Sequence, residues 1–363
     1  MKKNILIIDD SALMRRVLSD IINSDERFLV TDFAINGLEG LEFMQKDSSR
    51  FDAIILDINM PKMNGIEFLE ALKQQNIKAT IIVVSTVAKE GAKETILALE
   101  LGAFDFVTKP ESFIEVKTDN FKKKILDCLS IATRMEVIAE PIEIKVEKDL
   151  SLVQSEREIK KKRLMKLSQG GNKLVALACS TGGPKALQIV IPSLPANLDA
   201  SILIVQHMPE GFTKSLADRL NELSQVRVKE AEHGETIQKG TVYIAKGGYQ
   251  MRLIKKEDGG NQLSITAEPA RTGLKPCADI LYESLQNTQY DEITCVVLTG
   301  MGGDGSFGIK QLNDTNNIYV IAQDEETCTV YGMPKVLYAT GLVNEVVALS
   351  KISEAIIKNV GVN

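Results

Sequence analysis

Along the first 130 residues, short continuous apolar runs alternate with amphipathic stretches. The runs are Ile5 to Ile8, Phe28 to Ala34, Ala53 to Leu56, Ile81 to Val84 and Phe104 to Val107. Between them, sets such as Leu13, Val17, Leu18, Ile21 and Ile22 fall at the spacing that places apolar residues on one helix face. Five strand-plus-helix repeats predict an α/β fold with a doubly wound, five-stranded parallel sheet over residues 1–128. From about Arg134 to Gln169 glycine and aromatic residues vanish and charges crowd in, with EREIKKKR at 156–163. Residues 129–172 therefore read as a charged, partly helical linker, and the basic tetrad Lys160 to Arg163 as a solvated helix face. A second alternating region, 173–363, opens on LVALAC and continues through Ile202 to Val205, Ile293 to Leu298 and Ile318 to Ile321. It predicts another doubly wound α/β domain, with the polar-alternating stretch Val226 to Thr266 as an inserted set of antiparallel strands.

Composition narrows the class without changing this picture. The chain has 363 residues, 44% hydrophobic and 25% charged, enough apolar surface for two cores. The net charge of −6 gives no global attraction to nucleic acid or to an anionic membrane. Five cysteines, Cys128, Cys179, Cys277, Cys295 and Cys328, are scattered without a CxxC pair, which suits reduced thiols rather than a disulfide framework or a zinc site. The opening MKKNILIIDD has too short an apolar run for a secretory leader and reads as a strand; no stretch has the apolar length of a membrane helix. A cytoplasmic protein without membrane insertion is expected.

Ligands of open α/β sheets bind at the carboxyl ends of the strands, so the polar residues that follow the apolar runs carry the chemistry. In the first region these are Asp9 and Asp10, Asp57, Ser85 and Thr86, and Lys109. Three carboxylates converging on one edge repel one another unless a divalent cation lies among them, and hard oxygen ligands suit Mg²⁺. The order and spacing of these residues, with DINMPKMNG at 57–65, resemble the receiver domain of two-component response regulators. The resemblance implies that Asp57 is the phosphoacceptor, that Asp10 and Asp57 ligate Mg²⁺ with Asp9 in support, and that Lys109 and Ser85 contact the phosphoryl group. A histidine kinase is then the phosphodonor.

In the second region Ser180 follows the LVALAC strand and precedes Gly182 and Gly183, so a tight turn into a helix exposes its hydroxyl. Taken alone, a serine there is also an ordinary helix cap. The chain has two histidines; His207 ends the run ILIVQH, whereas His233 lies in the polar turn EAEHGET. Asp304 follows a further strand within TGMGGDG, where a carboxylate accepts Nδ1–H of His207 and leaves Nε2 to take the serine proton. Those glycines lack the GK[ST] of a phosphate loop and carry an acid instead.

The segments CSTGGP, QHMPEGFT, TGMGGDG and VYGMP resemble the catalytic domain of chemotaxis response-regulator methylesterases, in the order Ser, His, Asp. The resemblance implies a metal-independent triad of Ser180, His207 and Asp304, with oxyanion donors near Thr181 and Met301. It also implies methyl-esterified glutamates on chemoreceptor helices as substrate, with deamidation of receptor glutamines in many members, and an unphosphorylated receiver that covers the groove. Two positions depart from the family pattern: Gln250 and Leu274 stand where histidines are common, and both are expected to border the substrate groove. A receiver-linked transcription factor predicts instead a basic helix-turn-helix effector, which the strand-rich second region does not contain. A receptor-binding adaptor without hydrolysis is the other alternative; methanol release separates the two.

Overall fold

The computed structural model describes residues 2–86, 88–110, 119–134, 171–256 and 260–363. The chain divides into two compact units, Met1–Glu140 and Pro141–Asn363. Most of the expected linker, including Lys160 to Arg163, lies outside the described residues.

The first unit builds β1 (Lys3–Ile8), α1 (Ala12–Asn23), β2 (Phe28–Ala34), α2 (Gly37–Asp47), β3 (Ala53–Asp57), α3 (Gly65–Gln74), β4 (Ile81–Ser85), α4 (Lys89–Leu101), β5 (Asp105–Thr108) and α5 (Asp119–Ala132). Its sheet is wholly parallel in the order β2-β1-β3-β4-β5. Strands β3 and β4 are buried along their whole length, which is why they read as unbroken apolar runs rather than alternating ones. The final helix continues to Ala132, past the boundary expected at 128.

The second unit contains β6 (Lys173–Cys179), α6 (Gly183–Val190), β7 (Ala200–Gln206), α7 (Phe212–Leu223), β8 (Arg227–Glu230), β9 (Thr241–Ile244), β10 (Gln250–Lys255), β11 (Asn261–Thr266), α8 (Ala278–Ser284), β12 (Glu292–Val297), α9 (Ser306–Thr315), β13 (Ile318–Gln323), α10 (Met333–Ala339), β14 (Glu345–Val347) and α11 (Ile352–Val360). Seven strands form a parallel sheet in the order β14-β13-β12-β6-β7-β9-β8. The antiparallel insertion is confined to the β10–β11 ribbon. The expectation that all of Val226 to Thr266 is antiparallel is corrected for β8 and β9, which join the main sheet in parallel. Strand β8 is only partly buried because it is the sheet edge, and residues 231–240 carry the chain back so that β9 pairs with it in parallel.

The chain leaves β6 towards β7 and the β8 edge, then crosses to the other side of β6 to lay down β12 to β14. The crevice beyond the carboxyl ends of β7, β6 and β12 is thus the switch point of the sheet, where such folds bind ligands. In the first unit the corresponding switch lies between β1 and β3.

Candidate active site

At the first switch point, Asp9 and Asp57 end adjacent strands, with Ile8 paired to Leu56 just before them. Both carboxylates are buried, while Asp10 is exposed. Lys109, after β5, donates to Asp9 Oδ2 at 3.1 Å and lies 2.7 Å from Asp57 Oδ2. Asp57 Oδ1 accepts the Ile58 N–H at 2.8 Å. Burial raises the Asp57 carboxyl above its ordinary range and the Asp9 charge adds to this, while Lys109 opposes both. Burial acts to lower the Lys109 ammonium, but the two carboxylates outweigh it and hold it above its usual value. One oxygen from each of Asp9, Asp10 and Asp57 lies within 4.8 Å of the others, an all-carboxylate donor set that fits a hard divalent cation. The Ser85 hydroxyl is buried and donates to Gly91 O at 3.2 Å, away from the carboxylates' bonds.

At the second switch point the strand ends are tied edge to edge. Cys179 of β6 pairs with Gln206 of β7. One residue further, His207 N–H donates to Cys179 O at 3.1 Å and Ser180 N–H to Thr299 O at 3.0 Å. The backbone therefore places Ser180 and His207 on neighbouring strand ends, about 5 Å apart in strand spacing. A Cβ at Gly300 would fall 2.8 Å from Ser180 Cβ and 2.4 Å from Met333 Sδ, so only glycine lets the β12 turn pass this close to the serine.

His207 Nε2 lies 2.7 Å from Asp304 Oδ2. The ring orientation corrects the expectation, in which Nδ1 faced the carboxylate: here Nε2 does so, and Nδ1 has no hydrogen-bond partner among the described residues. Among the described residues no hydrogen bond joins the Ser180 hydroxyl to the ring. Catalytic contacts of this kind commonly close only when substrate is bound.

Asp304 is buried and richly solvated by the protein. Its Oδ2 also accepts Ala278 N–H at 2.6 Å, and its Oδ1 accepts Asp279 N–H at 3.0 Å, Gly305 N–H at 3.0 Å and the Cys277 thiol at 3.2 Å. Burial pushes this carboxyl up, yet the His207 hydrogen bond and charge and the two N–H donors of α8 outweigh it, leaving the group at about 2. Neighbouring Asp279 moves the other way, to about 6, because burial and the Asp304 charge exceed the help from Gly308 and Gly305 N–H.

Thr181 and Met301, the expected oxyanion donors, both have main-chain N–H groups that bond no described protein acceptor. Ser180 N–H is already taken by Thr299. His233 lies on the β10–β11 side, bonded through Nδ1 to the Ile265 main chain, and is not brought to this edge. Gln250 is fully buried and does not border a groove; Leu274 is half-buried.

Sequence reasoning missed three supporting side chains. Gln206 Nε2 donates to the carbonyls of both Ser180 (3.1 Å) and His207 (3.2 Å), and its Oε1 accepts the Cys179 thiol at 3.0 Å. Thr299 Oγ1 donates to Thr181 O and accepts Val330 N–H; Gln323 Oε1 accepts Thr299 N–H. All three are buried polar residues at the ends of apolar runs. That was the available signal, since such a group must find an internal partner.

Comparison with known proteins bears on both sites. A family model described as CheB methylesterase matches residues 175–356, and one described as response regulator receiver domain matches residues 5–119. A protein-glutamate methylesterase/protein-glutamine glutaminase of Syntrophomonas wolfei is 40% identical over 366 residues, covering 98% of this chain and 99% of the relative. The chain belongs to the CheB methylesterase family. A Bacillus subtilis member named protein-glutamate methylesterase/protein-glutamine glutaminase is 39% identical across 97% of both chains. The crystal structure of the Thermotoga maritima CheB methylesterase catalytic domain covers 52% of this methylesterase-family chain and 98% of its own, with a TM-score of 0.50 and 40% identity. The fold expected from the sequence, a parallel receiver followed by an α/β hydrolase unit, is the fold found. Among the described residues no helix is long and apolar enough to cross a membrane.

Proposed function

We propose that this protein hydrolyses methyl esters of glutamate side chains on chemoreceptors, deamidates glutamines there by the same route, and is regulated by phosphorylation of Asp57. The observation that carries the reading is the partly buried His207–Asp304 pair, 2.7 Å apart, on the strand ends either side of Ser180 at the switch point of the sheet. Ser180 Oγ attacks the ester carbonyl carbon while His207 Nδ1 takes its proton. Asp304, ionised at neutral pH because its carboxyl sits near 2, holds the ring and stabilises the imidazolium. The oxyanion is received by the free N–H groups of Thr181 and Met301. Collapse of the tetrahedral intermediate returns the proton to the leaving oxygen and releases methanol; water then attacks the acyl-serine by the same proton path and frees the glutamate carboxylate. With a glutamine substrate, ammonia leaves instead.

In the receiver, Asp57 accepts the phosphoryl group of a histidine kinase. Asp9, Asp10 and Asp57 would hold Mg²⁺, which when bound neutralises the converging negative charge. Lys109, already in contact with Asp57, pairs with the phosphoryl oxygens, and Ser85 leaves Gly91 O to donate to them. A cytoplasmic location is part of the same reading, since the proposed receptor helices and kinase act there.

Methanol release from a methylated receptor fragment tests the assignment. Ser180→Ala is expected to lose at least about a thousandfold in turnover, the scale of removing a triad nucleophile. Undiminished release in that variant refutes the triad, and native protein that binds the fragment without releasing methanol returns the adaptor reading.

A further inference from the structure

We propose that Gln250 is a positioning residue for the hydrolase, its side-chain amide fixing the turn whose main chain and thiol hold Asp304 against His207. The inference rests on the triad reading above. Gln250 opens β10 and is fully buried. Its Nε2 donates to Leu274 O at 3.1 Å and, at greater length, to Pro269 O at 3.4 Å; its Oε1 accepts Cys277 N–H at 2.9 Å. The amide thus spans the turn from Leu274 to Cys277. Leu274 O has a second donor in Arg271 N–H, and Gly248 N–H reaches Lys275 O, so the turn has other ties on that side. Cys277 N–H has none: among the described residues Gln250 is its one acceptor.

The N–H that Gln250 secures belongs to the residue at which the turn meets the Asp304 donors. The Cys277 thiol and the N–H groups of Ala278 and Asp279, three consecutive residues, supply three of the five hydrogen bonds that the described residues make to that carboxylate. Displacing Cys277 therefore moves the donors that set the direction of Oδ2, and with it the His207 ring. A neutral amide suits the position because the turn presents both an acceptor and a donor. A leucine of similar size offers neither function, and an ionised glutamate offers only the acceptor.

The test uses the full chain and two readouts at Ser180: methanol release from a methylated receptor fragment, and the rate of covalent labelling by a fluorophosphonate, which reports activation of the serine. In Gln250→Leu, kcat and the labelling rate are expected to fall together by about tenfold to a hundredfold, the scale of a misplaced catalytic group. KM stays within about twofold, since ground-state binding is untouched. Gln250→Glu keeps the contact to Cys277 N–H and regains a donor for Leu274 O only when protonated. Its rate relative to native should therefore rise as pH falls from about 8 to about 5, the range in which a buried glutamic acid titrates. A purely structural role lowers the folded fraction but leaves the rate per labelled site and the pH ratio flat; that result, or native kcat in folded Gln250→Leu, overturns the proposal. If Gln250→Leu does not fold, the glutamate pH ratio decides. Failure of the native chain to label at Ser180, or labelling unaffected by His207→Ala, refutes the triad itself and is read independently of Gln250.

Discussion

A Cβ added at Gly183 would meet Gln206 Oε1 at 2.0 Å and Cys179 Cβ at 3.0 Å. Alanine at a helix position is ordinarily favoured over glycine by about 1 kcal/mol, so the crowding decides the sign. Gln206 cannot swing away freely, because it is buried and binds both the Ser180 and the His207 carbonyls. Gly183→Ala is expected to destabilise by about 1–3 kcal/mol, the range for overpacking, and to reduce methanol release beyond what the loss of folded protein explains; denaturant titration alongside kcat checks both. The two carboxylates near His207 give opposite pH signatures. Asp304 sits below its unfolded value, so its stabilisation is full above about 4 and is lost as pH falls towards about 2. Asp279 sits above its unfolded value, so its ionised form destabilises the fold at neutral pH, and that penalty is relieved as pH falls through about 6 towards 4. Asp279→Asn keeps an oxygen for Gly305 and Gly308 N–H and removes the penalty. Thermal unfolding at pH 7 should therefore show a higher Tm than native, with the difference closing towards pH 4; a difference independent of pH contradicts the assignment.

The elements show which features could be read from the sequence and which could not. Strands β1, β3, β6, β7, β12 and β13 are buried on both faces, so their runs are continuous and their ends obvious; every reactive side chain proposed for the hydrolase follows such an end. The direction of β8 and β9 was not legible, because a four-residue strand looks the same in a hairpin and in a parallel sheet, whether at its edge, as β8, or inside it, as β9. What separates them is the path of residues 231–240. The His207 ring orientation was equally hidden, since it depends on the side from which the β12–α9 turn brings Asp304. So was the burial of Gln250, whose partners lie 19 to 27 residues further on. One helix start in the receiver is locked by its own side chains. Asn64 caps α3 in a reciprocal box: Asn64 Oδ1 accepts Glu67 N–H at 2.9 Å and Glu67 Oε2 accepts Asn64 N–H at 2.8 Å. Asn64→Ala removes one half of this and should lower receiver stability by about 1 kcal/mol in urea titration. A loss of that size leaves almost all of the receiver folded, so methanol release without phosphodonor should be unchanged by it.

At the scale of the whole molecule, a phosphorylation site and a hydrolase site on one chain are coupled only if the chain has two states of different activity and phosphorylation favours one of them. The receiver has the parts of such a switch. A phosphoryl group on Asp57 brings about −1.5 to −2 of charge and three acceptor oxygens into a site where Lys109 is already shared between Asp9 and Asp57. The Ser85 hydroxyl, which donates to Gly91 O at 3.2 Å, is the donor such a group would recruit, and Gly91 O keeps the Thr95 hydroxyl at 2.7 Å when Ser85 leaves it. If the unphosphorylated receiver restrains the hydrolase, as the family resemblance implies, a small phosphodonor with Mg²⁺ raises methanol release from the full chain. It should leave Asp57→Asn at its basal rate, and Ser85→Ala should take up label at Asp57 while showing a reduced rise. Deleting residues 1–150 should raise basal release and abolish the response. Equal release by the truncated and unphosphorylated full chains on one soluble fragment contradicts restraint, and phosphorylation then acts by another route, such as recruitment to receptors. A phosphodonor response that survives in Asp57→Asn contradicts the phosphoacceptor assignment while leaving Ser180, His207 and Asp304 untouched.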